Sequence, residues 1–484
     1  MVILELCIAT LLWQPTTEVK ETPTPNIVFI LADDLGYGEV GCFGQEKIKT
    51  PHIDAIAKEG MRLTEHYSGS PVCASSRSVL LTGLHTGNTE IRNNREIGGW
   101  GPDEPEGQLP LSANTNTIGS SLQKNGYATG AFGKWGLGGP ESVGHPNKQG
   151  FDTFYGYLCQ RVAHNYYPTH LWNNETKEML EGNESWFTAH EKLDAEPENY
   201  DRFSAKTYAP DLILEKAVDF IDAHAKEPFF LYFASIIPHL ALQIPDEEVD
   251  VYPESWDTEP YLGDNGYLPH PRPRAAYAAM ITRFDSEVGA IVKALKDNNI
   301  ADNTIIVVTS DNGPSWVGGV DMDFFGSSGG LHGRKAQLWE GGIRVPTVVW
   351  WPGKIKAGSE NKTPSAFWDW YPTFMGAIDQ SSEKVDGINL LPNLLRNEPV
   401  KERGLYWEFG KTQAFRLDDW KLLQFKTKNA IDVHLYNLKE DPSETHNVAK
   451  ENPELVAQLL ELSLQARTKS ETFPSFMDSL HTED

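Results

Sequence analysis

Four strand-like segments of this chain run into polar residues that could do chemistry. Residues 26–32 (NIVFILA) lead into Asp33 and Asp34, and residues 304–309 (TIIVVT) into Ser310, Asp311, Asn312 and Gly313. TGAFG leads into Lys134, and residues 229–234 (FFLYFA) lead through a short link into His239. In open α/β sheets, ligands sit beyond the carboxyl ends of parallel strands. If these strands are parallel neighbours, three Asp, one Asn, one Lys and one His converge in one place. Asp33, Asp34, Asp311 and Asn312 offer only hard oxygen donors, which suit Ca²⁺ or Mg²⁺ better than zinc. Either dipeptide alone reads as a helix cap or a turn. Two of them at two strand ends favour a metal.

A second pattern is SPVCASSRSVLLTG, residues 70–83. Pro71 sets a turn, a helix begins near Ala74 or Ser75, and Gly83 stops it. Cys73 then sits at a helix N-terminus, where the dipole favours developing negative charge. Arg77 follows one turn later on the same face. By itself, a cysteine before an amphipathic helix more often serves as a small packed residue.

The elements that must position these groups read as an α/β sheet covered on both faces. Short apolar runs, with a fifth at residues 346–350, alternate with helical patterns at 51–59, 117–125, 211–223 and 274–296. In the 211–223 segment, Leu214, Ala217, Val218 and Ile221 line one helical face. After about residue 386 the texture changes to short amphipathic strands (413–425, 432–438) and a helix (453–467). The expected organisation is a leader at 1–24, a large domain at 25–385 and a small antiparallel sheet plus helix at 386–484. Residues 160–208 are polar, aromatic and irregular, too long for a connector, and read as a binding loop.

Composition narrows the partners. Hydrophobic residues at 39% and charged residues at 23% describe a globular protein. A net charge of -26 argues against nucleic acid, which needs a concentrated basic face. An anionic substrate then requires a few cations gathered in one pocket. No later stretch approaches the roughly 20 apolar residues of a membrane span. The start, MVILELCIATLLW, is similar to the apolar part of a secretory signal without the usual positive charge, so a secreted or periplasmic location is expected. Four cysteines, one of them Cys7 in that leader, make no disulfide framework, and there is no CxxC pair.

Seven motifs in order give the chain a family resemblance: PNIVFILADDLGYGEVGCFG, KTPHIDAIAKEGMRLTEHYSGSPVCASSRSVLLTG, GYATGAFGKWGLG, PFFLYFASIIPH, TIIVVTSDNG, GRKAQLWEGGIRVP, and DDWKLL with LYNLKEDPSETHNVA. From residue 25 to about 449 the sequence resembles the formylglycine-dependent sulfatases of the alkaline-phosphatase superfamily. The resemblance implies a large mixed β-sheet sandwiched by helices, with a small C-terminal antiparallel sheet plus helix. It implies that Cys73 is the formylglycine precursor, converted by a formylglycine-generating maturation enzyme. Asp33, Asp34, Asp311 and Asn312 would hold Ca²⁺, and the modified Cys73 would complete that shell. Arg77 would orient the hydrated aldehyde, Lys134 and Lys335 would hold sulfate oxygens, and His239 would face the leaving oxygen. These roles agree with what a sulfate ester needs: an in-line nucleophile, cations on the nonbridging oxygens and a proton for the departing alkoxide.

Two positions depart from the family pattern. Ser75 stands where Pro or Ala is usual in the maturation motif, and Gly136 stands where a His is common. His332 is a candidate to fill that polar space. For a sulfated carbohydrate substrate, the stretch His164, Asn165, Tyr166 to Trp172 offers aromatic faces among hydrogen-bonding groups. Arg92, Arg95 and Arg161 are candidates for a second anionic group. The competing readings are a phosphomono- or phosphodiesterase of the same superfamily, and a noncatalytic calcium- or glycan-binding protein if Cys73 is not matured.

Overall fold

The computed structural model describes residues 24–101, 104, 106–197, 199–382 and 384–481; the expected leader through residue 23, with Cys7, lies outside them. The strands are β1 (Asn26–Ala32), β2 (Met61–Leu63), β3 (His66–Tyr67), β4 (Ala128–Lys134), β5 (Thr153–Tyr157), β6 (His170–Asn173), β7 (Thr176–Met179) and β8 (Phe229–Ala234). They continue with β9 (Thr304–Ser310), β10 (Thr347–Trp350), β11 (Ser359–Asn361), β12 (Ser365–Ala366), β13 (Gly404–Phe409), β14 (Thr412–Leu417), β15 (Trp420–Lys426) and β16 (Ile431–Asn437).

Ten strands form one mixed sheet in the order β11-β2-β10-β9-β1-β8-β4-β5-β6-β7. Its centre, β9-β1-β8-β4-β5, is parallel. Strand β1 is buried along its whole length, which is why its sequence is a continuous apolar run and not an alternation. Its side chains still divide by parity. Val28, Ile30 and Ala32 join one core with helices Pro51–Glu59, Ala209–His224 and Pro273–Asp297. Ile27, Phe29 and Leu31 join the other with helices Cys73–Thr82, Ile118–Lys124 and Trp370–Ala377.

The register brings the strand ends level. Ala32 pairs with Ser310, Leu31 with Ala234, and Gly133 with Ala234. Gly133 has φ 105°, and a Cβ there would lie 2.0 Å from the Ala234 carbonyl oxygen. Only glycine fits at this close approach, one residue before Lys134.

A separate four-stranded antiparallel sheet, β13-β14-β15-β16, packs against helix Pro453–Gln465 through Leu459. The structure adds strands that the sequence reading lacks. Among them are β5, a parallel neighbour of β4, and β13, and the 160–208 loop contains the hairpin β6–β7, which extends the large sheet. The edge strand β7 (TKEM) is polar and mostly exposed, so it carries little apolar signal, while β6 (HLWN) is mostly buried but only four residues long. Cys42, Cys73 and Cys159 are all free. Among the described residues, no helix is long and apolar enough to cross a membrane.

Candidate active site

Helix Cys73–Thr82 starts where Val72 is still extended and ends at Gly83, whose φ of 69° lets its N–H reach the Val79 carbonyl. The helix is buried over its whole length, so Cys73 enters the cluster at the strand ends from a fixed direction. Its sulfur lies 3.2 Å from Asp33 Oδ1 and 4.0 Å from Asp34 Oδ1. The Ala74 amide donates to Asn94 Oδ1 at 2.9 Å. Ser75 does not face this cluster; its hydroxyl donates to Ser70 Oγ at 2.7 Å.

The groups expected at the strand ends do meet. Arg77 reaches Asp311 Oδ2 with Nε at 3.1 Å and Nη2 at 2.8 Å, and the Lys134 carbonyl with Nη1 at 2.7 Å. Lys134 Nζ lies 2.5 Å from Asp33 Oδ2, and Lys335 Nζ lies 2.7 Å from Asp34 Oδ2. Asn312 Nδ2 donates to Asp34 Oδ1 at 2.7 Å. His239 Nε2 is 3.7 Å from Asp34 Oδ2, while its Nδ1 is 2.7 Å from the Leu240 carbonyl. That carbonyl can only accept, so Nδ1 carries the proton and Nε2 presents a lone pair.

Burial sets the protonation, and neighbouring charge modifies it. Burial alone would raise Asp33, but Lys134, His239 and Arg77 outweigh it and hold this carboxyl well below the usual range. Burial and the adjacent Asp33 charge push Asp311 up to about 7 despite Arg77. Burial, with Lys335 close by, lowers His239 to about 4. The Cys73 thiol is pushed well up by burial and by Asp33.

The oxygens of Asp33, Asp34 and Asn312 suit a hard cation. Asp33, Asp34, Cys73 and His239 each present a ligand atom, all within 4.8 Å of one another. Asn312 Oδ1 is buried and accepts no hydrogen bond. A buried acceptor left without a donor is costly, and a cation among three carboxylates would satisfy it. The two lysines now resting on Asp33 and Asp34 would then be free to turn toward an anion.

The candidate ligand contacts divide. His164 stacks on His239 with ring centroids 4.7 Å apart, and with Asn165 it lines a cavity of about 420 Å³. Arg161 lines the same cavity. Tyr166 does not face it. It is fully buried, and its hydroxyl donates to the Ile236 and His239 carbonyls at 2.8 and 2.5 Å, so it braces the turn that presents His239. Arg95 points elsewhere, donating to the Thr472 carbonyl and lying over Phe473. Arg92 is closed off by Glu408 at 2.8 Å.

His332 stacks on Trp339, 4.2 Å between centroids, at the edge of a second cavity of about 760 Å³, and does not fill the space beside Gly136. That space is bordered by the amide oxygens of Gln160 and Gln108, 3.5 and 4.0 Å from where a Cβ would be. Neither oxygen has a hydrogen-bond partner.

Three neighbours escaped the sequence reading. Tyr267 packs against His239, His164 and His190, and His190 Nε2 lies 3.2 Å from His164 Nδ1. Asn94 receives the Ala74 amide. None of the three sits at a strand end or in a motif, and each is brought in by a loop.

Comparison with known proteins adds to this geometry. A family model described as Sulfatase matches residues 25–380, and one described as N-sulphoglucosamine sulphohydrolase, C-terminal, matches residues 330–470. Human N-acetylgalactosamine-6-sulfatase is 30% identical over 399 residues, spanning 80% of this chain and 69% of its own length. The N-acetylgalactosamine-6-O-sulfatase of Bacteroides thetaiotaomicron is 27% identical and spans 93% and 94%. The crystal structure of Ps i-CgsB in complex with k-i-k-neocarrahexaose superposes with a TM-score of 0.75 at 29% identity, covering 94% of this chain and 96% of that one.

Proposed function

Because this chain belongs to the sulfatase family of the alkaline-phosphatase superfamily, and is a sulfuric ester hydrolase, we propose that it removes sulfate from a sulfated carbohydrate. In this reading Cys73 matures to formylglycine, and Asp33, Asp34, Asp311 and Asn312 hold one Ca²⁺. The observation that carries it is Cys73 at a buried helix N-terminus, 3.2 Å from Asp33 and 4.0 Å from Asp34, the latter bonded to Asn312, whose Oδ1 is unpartnered. The carbohydrate class is supported by relatives named for sulfated amino sugars and by a neighbour crystallised with a carrageenan-type oligosaccharide. Export, and an encounter with a maturation enzyme, belong to the same reading.

The matured residue would supply the nucleophilic oxygen, and the cation would supply positive charge beside the reacting sulfate. The rest falls to the chain's own groups. Arg77 is held rigid by Asp311 and by the Lys134 carbonyl, so it fixes the position of residue 73. Lys134 and Lys335 are the cations beside Asp33 and Asp34, placed to grip nonbridging oxygens as charge builds. His239 Nε2 faces the same space but is neutral here, because burial and Lys335 disfavour its charged form. An anionic sulfate beside it would favour protonation, and the protonated ring can then donate to the leaving oxygen.

The test combines mass and metal. Coexpressed with a formylglycine-generating enzyme, the peptide carrying Cys73 should lose mass as CH₂SH becomes CHO. Chelation should abolish turnover of sulfated sugars, and calcium should restore it. A fully active Cys73→Ala variant, or a bound zinc, would remove this reading.

A further inference from the structure

Charge is scarce in the right sense around this site. The chain has 42 Lys and Arg against 68 Asp and Glu. Among the described residues, all but two arginine side chains are engaged in a hydrogen bond or ion pair. The two exceptions are Arg161 and Arg334, and each lines one of the two largest cavities described. Each guanidinium lies over a tryptophan, Arg161 4.3 Å from the Trp100 ring and Arg334 4.7 Å from Trp316. Arg161 is the more telling, because its cavity begins at His164, the ring stacked on His239.

The walls of that cavity suit a sugar. Trp100, 40% exposed, and Trp186 supply flat apolar faces, and Thr188 and Asn165 supply hydrogen-bonding groups. Among the described residues lining the cavity the one carboxylate is Glu104, and it is turned to the Trp100 and Gly101 amides at 3.2 and 3.0 Å. Arg161 Nε is buried and has no partner. Single nitrogens of Arg272, Arg403 and Arg467 are also unpartnered, but those side chains are anchored by ion pairs. Among the described residues, no hydrogen bond or ion pair reaches any part of the Arg161 guanidinium, which leaves it ready for an anion.

We propose that this cavity is a subsite for the sugar next to the one bearing the scissile sulfate, and that Arg161, held flat by Trp100, grips a sulfate or carboxylate on that neighbour. This rests on the sulfated-carbohydrate reading and goes beyond it: the preferred substrate is an acidic oligosaccharide and not an isolated sulfated sugar. One charge-assisted contact of this kind changes affinity by about ten- to a hundredfold.

The measurement is kcat/KM on three disaccharides, in which the same sulfated hexosamine is linked to a uronic acid, to a second sulfated hexose, or to a neutral hexose. The wild-type protein should prefer an acidic neighbour, and whichever of the two acidic arms shows the larger preference names the group. Arg161→Gln should collapse that preference by about ten- to a hundredfold, mainly through KM. Arg161→Lys should fall between, because a lysine keeps the charge but loses the planar fork. Both variants should melt with the wild type, since Arg161 makes no ion pair among the described residues. Equal losses on all three substrates, or a wild type indifferent to the neighbour, would overturn the subsite while leaving the sulfatase reading intact. A protein inert on all sulfated sugars would instead remove the reading beneath it.

Discussion

Two knots of buried charge can be compared in this molecule. At the strand ends, Asp33, Asp34 and Asp311 face Arg77, Lys134 and Lys335. Under the C-terminal sheet, Glu65, Glu340 and Glu444 face Arg344, Arg416 and Lys421. Each holds three carboxylates and three cations, yet they are closed differently. Lys421 lies 2.9 Å from both Glu340 and Glu444, Tyr67 donates to Glu340 at 2.6 Å, and the Glu340 amide donates to Glu444 at 2.6 Å. Burial opposes the Glu340 charge, but Lys421, Arg344 and Arg416 hold that carboxyl low. This knot fastens β15 to Glu340 and Glu444, with Arg416 at the edge of a small cavity of about 60 Å³. Each knot has one buried oxygen without a hydrogen bond, but Glu444 Oε1 in the second has the Lys421 ammonium 2.9 Å away. Asn312 Oδ1 in the first has no such ion pair, and the first also has a lysine, Lys335, whose side chain is 14% exposed. Equal charge balance therefore serves two ends, a fastener where every partner is protein and a receptor where one is missing.

The sharpest way to break this comparison is to remove one lysine from each knot. Lys421→Met should cost about 3–5 kcal/mol of stability, since it strands two buried carboxylates. The folded fraction should keep its turnover, as checked by chemical denaturation alongside kcat/KM. Lys335→Ala should do the reverse, lowering kcat/KM by about 10²–10³-fold with a smaller change in stability. If both variants lose stability and rate in parallel, the two knots are not functionally distinct.

A smaller effect separates roles within the first knot. His239→Ala should lower kcat/KM on a sugar sulfate by about 10²-fold, and far less on an activated aryl sulfate whose phenolate leaves without a proton. Lys335→Ala should impair both substrates alike. Equal losses for His239→Ala would reduce it to a contact.

The smallest expected effect comes from a carboxylate outside both knots. Glu287 makes no ion pair among the described residues, and its partner is the Ser235 hydroxyl at 2.8 Å. Burial raises it to about 8 from an ordinary 4.5. The folded state therefore binds more protons than the unfolded one between those values, and stability falls as pH rises through that window. Glu287→Gln removes this slope. Between pH 5 and 8 its melting free energy should gain on the wild type by more than about 1 kcal/mol. Parallel pH profiles would show that Glu287 is already compensated.

Much of this was legible in the chain because the central strands are buried on both faces. A run such as NIVFILA admits few other readings, and a polar residue directly after it must leave the sheet at its end. Four such endings reached one site once the strands proved to be parallel neighbours. Loops carried no comparable signal. Tyr166 and Asn165 are adjacent in the same polar, aromatic stretch, yet one is a fully buried brace and the other lines the cavity. Burial of a single loop side chain is decided by distant segments. His190, Tyr267 and Asn94 were invisible for the same reason, and strand β7 because its edge position requires no apolar pattern.

The depth of Cys73 has a consequence for the order of events in the cell. Its side chain is 1% exposed, at the mouth of a helix buried from end to end and tied by Ala74 to Asn94. Another protein's active site has no approach to such an atom once the helix has docked. If Cys73 matures to formylglycine as proposed, its oxidation would have to happen while the chain is still being made or threaded, before β1, β9 and β4 close over it. Folding would then act as a deadline: a copy that folds early would stay a thiol, and the specific activity of a preparation would record how many chains met the modifying enzyme in time.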